Sequence, residues 1–352
     1  MMNEDTFKNA KILVVGGAGF VGSNLVIKLL EHDPAEIVVV DNLLSSEASN
    51  VPVASNVRFV CGSITDDAIL RCLPDDLDYA FHLACYHGNQ SSIADPLADH
   101  ENNTLTTLKL FERLKEIDKL RKVVYAAAGC AVAEKTYDDA EATTEEAPVS
   151  LFHDSPYSIS KLIGEMYGNY YHRTHGLPFV KARFQNVYGP REILGAGRWR
   201  GTPHTVWRNV TPTFVWKSLD HEALPLENEG RTSRDFIFVE DMADGLMRCA
   251  LGGTPSETYN LASGKETTIA ELATAINGAT ENPTPPDLLP ARDWDRSGKR
   301  FGSTEKAKAH LGFEAKVEVS EGISRLVEWT RDNREFIRVC MDRHEPFLSN
   351  FM

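Results

Sequence analysis

The chain has 352 residues, of which 42% are hydrophobic and 25% charged, and its formal net charge is −14 at pH 7. No apolar run approaches the ~20 residues that a membrane span needs. The negative charge argues against nucleic-acid binding, but it leaves room for local arginine clusters that hold phosphates. The six cysteines lack metal-type spacing and no signal-peptide pattern precedes Lys11, so we predict no metal site and expect a cytoplasmic protein with reduced thiols.

The first predicted strand, 11–15, runs into a glycine-rich turn and then into a helix. Gly16, Gly19 and Gly22 leave space for backbone N–H groups to reach a pyrophosphate, whose charge the positive end of the helix favours at Phe20 and Val21. The second strand ends at Asp41, which can accept both ribose hydroxyls of NAD and repels a 2′-phosphate. The sequence therefore predicts a dinucleotide site that prefers NAD to NADP.

Segments that predict strands and segments that predict helices alternate beyond this turn. Such alternation is typical of an α/β protein, and we predict a Rossmann-type doubly wound parallel sheet with a smaller C-terminal substrate-binding domain. The NAD-binding domain is expected at 1–190, with returning segments near 232–262, and the substrate-binding domain at 191–231 and 263–352. The predicted strands cover 11–15, 36–40, 57–60, 79–83, 122–127, 178–184 and 257–261, and the predicted helices cover 20–31, 100–117, 155–175, 240–251, 268–277 and a region from about 320.

The helix predicted over 155–175 carries Tyr157 and Lys161. Residues four apart share one face of a helix, so the phenol and the ammonium project into the same cleft. A neighbouring lysine and the positive nicotinamide ring both favour the phenolate form of a tyrosine, whose ordinary pKa is about 10. Tyr157 is therefore predicted to take a proton from a sugar hydroxyl while a hydride leaves the same carbon for NAD. Lys161 is predicted to assist it and to hold a ribose.

An ordered series of short motifs extends along nearly the whole chain. The motifs are Gly16-Gly17-Ala18-Gly19-Phe20-Val21-Gly22, Asp41-Asn42-Leu43, Gly62-Ser63-Ile64-Thr65-Asp66, Phe81-His82-Leu83-Ala84, Tyr157 with Lys161, Arg183-Phe184-Gln185-Asn186-Val187-Tyr188-Gly189-Pro190, Arg234-Asp235-Phe236-Ile237 and Tyr259-Asn260-Leu261-Ala262-Ser263-Gly264. Together they resemble the extended short-chain dehydrogenase/reductases of the nucleotide-sugar epimerase and dehydratase family. The resemblance implies further cofactor contacts by Asn42, Ser63, Ile64, Leu83 and Ala84, although the family usually has aspartate at the position of Ser63.

The same resemblance implies how the substrate is held. Asn186 would bind the nucleotide-sugar, Arg234 its diphosphate, and Arg296 the same group. A guanidinium suits this role because its planar fork pairs with phosphate oxygens through two parallel hydrogen bonds.

The segment around Ala128, Gly129 and Cys130, expected to line the substrate site, departs from the family pattern. Relatives usually carry serine or threonine where Ala128 stands, and that hydroxyl bridges the substrate's C4 oxygen and the tyrosine. Its absence should weaken proton transfer without removing the base or the cofactor. At the place of Cys130, family dehydratases carry glutamate, whereas GDP-mannose 3,5-epimerase carries a cysteine used as acid/base, so this segment resembles the latter most. A thiol can remove a proton beside a ketone, but Cys130 can also be a small packing residue.

Inversion beside a ketone needs a second acid or base on the opposite face of the sugar. The 3,5-epimerase supplies a lysine from the segment after Tyr-Gly-Pro, where this chain offers only His204 and Lys217 as candidates. At the end of the fourth strand, His87 is either a substrate contact or a loop histidine without a role.

We predict an NAD-dependent nucleotide-diphosphate-sugar epimerase that acts through a transient 4-keto sugar, with Tyr157, Lys161 and Cys130 as catalytic residues. A 4,6-dehydratase is one alternative, disfavoured because Gly129-Cys130 replaces the expected acidic pair. A non-catalytic protein that binds NAD and a sugar nucleotide is another, suggested by Ala128 and opposed by the retained tyrosine and lysine. Because relatives commonly dimerise through a helix bundle containing the Tyr-Lys helix, the resemblance also implies a homodimer, and we expect no nucleic-acid or membrane partner.

Overall fold

The computed structural model describes residues 6–129, 139–291 and 298–351. Its elements follow the alternation predicted from the sequence. The strands are β1 (Lys11–Val15), β2 (Glu36–Asp41), β3 (Val57–Cys61), β4 (Tyr79–His82), β5 (Lys122–Ala128), β6 (Ala142–Thr143), β7 (Phe179–Phe184), β8 (Asn186–Tyr188), β9 (Pro225–Glu227), β10 (Ser233–Arg234), β11 (Phe236–Phe238), β12 (Thr258–Leu261), β13 (Thr267–Thr268), β14 (Asp287–Leu289) and β15 (Phe301–Gly302). The α-helices are α1 (Phe20–Leu30), α2 (Asp67–Arg71), α3 (Asn89–Ala94), α4 (Pro96–Asp99), α5 (Thr106–Leu114), α6 (Pro156–His175), α7 (Val210–Leu219), α8 (Val239–Gly252), α9 (Ile269–Thr280), α10 (Glu305–Leu311), α11 (Val319–Asp332), α12 (Arg334–Asp342) and α13 (Glu345–Leu348).

Within the described residues, seven strands form one sheet in the order β12-β7-β5-β4-β1-β2-β3, and every neighbouring pair is parallel. β1 lies between β2 and β4, with Val15 opposite both Val40 and His82. Chain order therefore reverses between β1 and β4, which opens a crevice at the carboxyl ends of these strands. The predicted α/β fold with a doubly wound parallel sheet is confirmed.

The sheet is buried on both faces, which explains why its central strands consist of nearly continuous apolar runs. On one face α1 and α8 contribute Leu25 and Met242 to a single buried cluster. On the other face Phe111 of α5 packs against Tyr125 and Phe179, with ring centres 6.3 and 5.3 Å apart. These two apolar layers fix the carboxyl edge of the sheet, and therefore the walls of the crevice.

A smaller lobe packs around its own core. Helices α7, α9 and α11 contribute Phe214, Leu272 and Ile323, each no more than 4% exposed. Tyr188 of β8 belongs to the same cluster and connects the lobe to the end of β7. Among the helices of the described residues, none combines the length and apolar character needed to cross a bilayer.

The helix predicted over 100–117 is divided. His100–Leu105 forms a π-helical turn, and α5 begins only at Thr106. Within this turn Asn103 accepts a hydrogen bond from the backbone N–H of Tyr86 at 2.7 Å and donates one to Ser160 Oγ at 3.1 Å. The wider turn thus lets one side chain join the loop after β4 to α6. Apolar periodicity does not reveal this π-helical turn, because nearly all of its residues are polar.

Candidate active site

The turn between β1 and α1 brings the backbone against the end of β4. Gly16 has a φ of +86°, and a Cβ there would lie 2.5 Å from the backbone nitrogen of Ala84, so only glycine fits. Helix α1 begins at Phe20 after Gly19, with no side chain capping its first turn. The uncapped N–H groups and the positive helix end form the kind of anion site that a pyrophosphate requires.

Asp41 ends β2 at the crevice and is only 9% exposed. Its carboxylate accepts hydrogen bonds from the backbone N–H groups of Ala18 at 3.1 Å and Leu43 at 2.9 Å, and from Ser46 Oγ at 2.8 Å. Burial raises the pKa of this carboxyl, and the three hydrogen bonds oppose that rise by favouring the charged form. The carboxylate is thereby fixed beside the glycine-rich turn.

Tyr157 and Lys161 lie one turn apart near the start of α6, which Ser155 caps by accepting from the backbone N–H of Ser158. Lys161 is 3% exposed, and its Nζ donates to the carbonyl oxygen of Ala126 at 2.9 Å. The same nitrogen lies 6.0 Å from the centre of the Tyr157 ring. The ammonium is therefore fixed where its charge stabilises a negative phenolate oxygen.

The end of β5 offers no hydroxyl to the crevice, because Ala128 lines it with a methyl group. Gly129 is not among the lining residues, since the Gln185 amide covers it so closely that a Cβ on Gly129 would overlap that amide. Cys130, predicted as an acid/base, and Arg296, predicted as a phosphate contact, lie outside the described residues.

A cavity of about 440 Å³ joins the glycine-rich turn to the Tyr157–Lys161 pair. Its lining includes the predicted substrate contacts His87, Asn186 and Arg234. The predicted cofactor contacts that line it are Gly16, Gly19, Phe20, Val21, Gly22, Asp41, Asn42, Ser63, Ile64, Leu83, Ala84, Tyr157 and Lys161.

The cavity is positive although the chain is strongly negative. Its described lining contains five cationic side chains and two acidic ones. A local positive field in a low-dielectric cleft attracts phosphorylated ligands. The cations are Lys161, Arg200, Arg208, Arg234 and Arg300, and the acids are Asp41 and Glu192.

Arg234, on β10, is 9% exposed, and its Nη1 donates to the carbonyl oxygen of Gly298 at 2.7 Å. The next residue, Asp235, accepts from the backbone N–H groups of Ser263 at 2.8 Å and Gly302 at 3.2 Å. Burial raises the pKa of Asp235, and these hydrogen bonds partly offset the effect. Asp235 thus ties three segments together and fixes the backbone that places Arg234 at the cavity wall.

His87 faces the cavity from the loop after β4. Its ring meets the Tyr157 ring edge-on, with 5.8 Å between ring centres. Nε2 lies 3.2 Å from Asn209 Oδ1, and the backbone oxygen accepts from Arg200 Nη1 at 2.9 Å. The side chain of His87 is exposed to the cavity. Desolvation by the surrounding cavity wall nevertheless lowers the pKa of His87.

Two charged groups of the opposite wall were not anticipated from the sequence. Glu192 is 4% exposed and accepts a hydrogen bond from Asn209 Nδ2, and burial raises its pKa to about 7. Arg208 donates from Nη1 to the carbonyl oxygen of Ser45 at 2.7 Å, and burial lowers its pKa to about 9. Both lie in an irregular segment whose only sequence signal is the preceding Tyr188-Gly189-Pro190 motif.

The two other candidates from this segment differ in position. His204 lines the cavity, with Nδ1 3.3 Å from the carbonyl oxygen of Trp207. Lys217 is not among the lining residues, because it lies in the last turn of α7 and pairs with Glu222 at 2.7 Å. The structure therefore does not bring Lys217 to the predicted chemistry.

The model of the NAD dependent epimerase/dehydratase family matches residues 12–262. WbmF of Bordetella bronchiseptica, solved with NAD+ and UDP, is 58% identical with a TM-score of 0.89 and covers 99% of this chain and 100% of its own. UDP-glucose 4-epimerase of Mycolicibacterium smegmatis is 32% identical over 329 residues, which cover 92% of this chain and 100% of that relative. dTDP-glucose 4,6-dehydratase of Streptomyces antibioticus is 30% identical over 332 residues, covering 92% and 93%.

These comparisons confirm the predicted NAD cofactor and the predicted class of nucleotide-sugar epimerase, with dehydratases among the relatives. They do not show the GDP-mannose 3,5-epimerase specificity suggested by Cys130. With more than half of its length matched by the family model, the chain belongs to the NAD dependent epimerase/dehydratase family.

Proposed function

We propose that this enzyme inverts C4 of a UDP-sugar through a transient 4-keto sugar and retains NAD throughout. The observation that carries the proposal is the meeting, in one cavity, of the glycine-rich turn, Asp41 and the Tyr157–Lys161 pair. The nucleotide is inferred from WbmF, which was solved with UDP, and the reaction from the Mycolicibacterium smegmatis UDP-glucose 4-epimerase. The close approach of Gly16 to Ala84 leaves the side-chain-free cradle that a dinucleotide needs.

Bound NAD supplies the chemistry of taking a hydride from C4 and returning it. Asp41 holds the adenosine ribose through its hydroxyls, and the first turn of α1 holds the pyrophosphate. Tyr157 takes the proton of the C4 hydroxyl as the ketone forms and gives it back when the alcohol is restored. Lys161 stabilises the phenolate between these steps and holds the second ribose.

The positive wall of the cavity fits the diphosphate of the substrate. Arg234 pairs with phosphate oxygens, and Arg296 is assigned the same group from the sequence alone. Asn186 binds the nucleotide-sugar, while His87 and Ala128 border the sugar itself. Ser63 and Ile64, near the end of β3, are assigned to the adenine of NAD.

The direct test is conversion of a panel of UDP-sugars by the purified enzyme without added cofactor. UDP-glucose, UDP-N-acetylglucosamine and UDP-glucuronic acid are each incubated with the protein, and the products are identified by nuclear magnetic resonance. We expect at least one to reach a mixture of its two C4 epimers. A protein that binds these compounds but converts none would contradict the proposal and support the non-catalytic alternative.

Cys130 carries a second candidate activity, proton exchange next to the 4-ketone, as in the GDP-mannose 3,5-epimerase that the segment resembles. If this thiol moves protons, incubation in deuterated water places deuterium on C3 or C5, and Cys130→Ala stops the exchange while hydride transfer continues. Absence of deuterium at both carbons, together with full activity of Cys130→Ala, would remove this activity.

We further propose that the enzyme is a cytoplasmic homodimer joined through α6. Along this helix Ile159, Met166 and Tyr170 are 46%, 55% and 53% exposed, and they are spaced so that they share one face. A solvent-exposed apolar stripe of this kind is typical of an interface. Met166→Glu is expected to convert the dimer to a monomer in light scattering, and a wild-type protein that is monomeric at micromolar concentration would contradict the proposal.

A further inference from the structure

Three polar side chains form a hydrogen-bonded row in the cavity wall, in the order His87, Asn209 and Glu192. Asn209 lies between His87 and Glu192: its Oδ1 is 3.2 Å from His87 Nε2, and its Nδ2 donates to Glu192 Oε1. The amide nitrogen of Asn209 thus faces Glu192 and its oxygen faces His87, and an amide oxygen can only accept a hydrogen bond. The neutral imidazole therefore carries its hydrogen on Nε2, and Nδ1 is left as an acceptor.

Hydrogen bonds also fix the backbone around His87. Arg200 Nη1 donates to the carbonyl oxygen of His87 at 2.9 Å, and Asn103 accepts from the backbone N–H of Tyr86 at 2.7 Å. Asn103 also donates to Ser160 Oγ of α6 at 3.1 Å, which holds the loop against this helix, where the imidazole contacts the Tyr157 ring. Nδ1 has no hydrogen-bond partner in the part of the chain that the structure describes. An oriented, unused acceptor is thus presented beside the residue assigned to the C4 oxygen.

We propose that Glu192 and Asn209 hold His87 as a hydrogen-bond acceptor for a donor group on the sugar next to C4, and that this row selects which sugars are accepted. The inference rests on the proposed function, since it takes the sugar to lie beside Tyr157. The ligand chemistry is a hydroxyl or an amide N–H on the substituent of C3 or C5. His87 touches the sugar, whereas Asn209 and Glu192 are positioning residues.

Because Nδ1 of His87 can only accept a hydrogen bond, we expect the site to bind poorly any sugar that lacks a donor at this place. A bound sugar that carries fluorine or hydrogen in place of the donor displaces water from Nδ1 and leaves it unpaired, which costs about tenfold to a hundredfold in affinity. Ala128 offers only a methyl group at the end of β5, so it cannot replace the lost contact.

Titration of His87 also makes binding of the sugar dependent on pH. Desolvation, together with the charges of Arg200 and Arg208, lowers the pKa of His87, while Asn209 and the charge of Glu192 oppose this. The acceptor is therefore present at neutral pH and is lost when acid adds a hydrogen to Nδ1.

The experiment compares the Kd values of UDP-glucose and its 3-deoxy-3-fluoro and 6-deoxy-6-fluoro analogues by calorimetry, with UDP as the reference without sugar. We expect the wild-type protein to bind UDP-glucose at least about tenfold more tightly than one of the two analogues. His87→Phe, which keeps a ring against Tyr157, should abolish that preference and bind UDP unchanged. Asn209→Leu, which removes the amide that orients the ring, should weaken the same preference, and exposed His175→Phe should change neither the preference nor the affinity for UDP.

Equal losses of His87→Phe on UDP-glucose and on both analogues would overturn the proposal, as would an unchanged preference in Asn209→Leu. Neither outcome concerns catalysis, because only binding is measured. Failure of the proposed function has a separate sign: tight binding of UDP-glucose with no epimer formed from any sugar of the panel.

Discussion

At the scale of single residues, the proposed chemistry depends on the fixed position of Tyr157 next to the buried Lys161. Lys161 is tied to the carbonyl oxygen of Ala126, so the charge that stabilises the phenolate is oriented before any ligand binds. Ala128 offers no hydroxyl at the end of β5, so this pair is the assigned proton-handling group of the described residues.

Tyr157→Phe should reduce turnover by about a hundredfold or more, because it removes the proton acceptor, while UDP-sugar binding stays nearly unchanged. Steady-state rates and calorimetric Kd values separate the two effects. Tyr167 lies further along α6, and Tyr167→Phe serves as a control that should keep normal turnover. Normal turnover of Tyr157→Phe on the identified substrate would show that the base is another group.

The buried side chain of His82 should make the free energy of unfolding depend on pH. It ends β4 with Nε2 2.9 Å from Thr107 Oγ1, and burial lowers its pKa to about 3 from an ordinary value of 6.5. Since the folded-state pKa lies below the unfolded one, the stability linked to this group is complete above pH 6.5 and decreases as the pH falls towards 3. The free energy of unfolding should fall by up to about 1.4 kcal/mol per pH unit in this window from His82 alone.

Urea unfolding at a series of pH values tests this. His82→Asn should flatten the acid slope, and His175→Asn, at an exposed position, should leave it as in the wild type. An identical slope in wild type and His82→Asn would contradict the linkage.

At the scale of elements, the site depends on how closely α6 approaches the sheet. A Cβ on Gly164 would overlap the hydroxyl of Tyr125, and Tyr125 Oη also donates to the carbonyl oxygen of Lys161 at 3.2 Å. Any residue larger than glycine at this position must push α6 away from β5. The Tyr157–Lys161 pair would move with the helix.

Gly164→Ala should therefore lower the free energy of unfolding by about 1–3 kcal/mol, the usual cost of overpacking, and reduce turnover. Gly278→Ala is the matched control, because a Cβ there, in the last turn of α9, meets open space. It should be neutral or stabilise by up to about 1 kcal/mol. Equal stabilities and turnover of the two variants, measured by urea unfolding and product assays, would contradict the importance of this contact.

The sequence predicts the sheet elements well because their apolar runs are local signals, and it predicts Asp41 and Tyr157 because each has a fixed place after a recognisable strand or within a helix. Glu192 and Asn209 carry no such signal. They meet His87 only because the segment after β8 folds back across the cavity, and that path depends on tertiary contacts rather than on periodicity. Lys217 is suggested by its residue type alone. Its side chain instead forms an ion pair with Glu222 and does not line the cavity.

At the scale of the whole molecule, residues 191–210 cross over the loop that follows β2. Arg198 N donates to the carbonyl oxygen of Leu44 at 3.0 Å, and Arg208 Nη1 to that of Ser45 at 2.7 Å. Glu47 of the same loop pairs with Arg343, near the end of the chain, at 2.8 Å. These contacts close the cofactor side of the cavity, which suits an enzyme that must keep one NAD through oxidation and reduction.

The purified protein should accordingly retain NAD rather than NADP after extensive dialysis. Arg208→Met, which keeps an unbranched apolar stem but loses the guanidinium and its hydrogen bonds, should accelerate NAD release by about tenfold or more. Arg338→Met, at an exposed pair on α12, should not change the release rate. Chromatography of the cofactor remaining over time measures both, and equally slow release from Arg208→Met would show that the crossing segment does not retain NAD.

The central claim, inversion at C4 through hydride transfer, is tested most directly by following deuterium. The UDP-sugar that the panel identifies is prepared with deuterium at C4, converted by the enzyme in ordinary water, and both epimers are analysed by nuclear magnetic resonance. Deuterium should stay at C4 in substrate and product alike, because the hydride leaves and returns at one carbon. Transfer of the deuterium to C6 with loss of water, or its loss to solvent, would contradict inversion by this route.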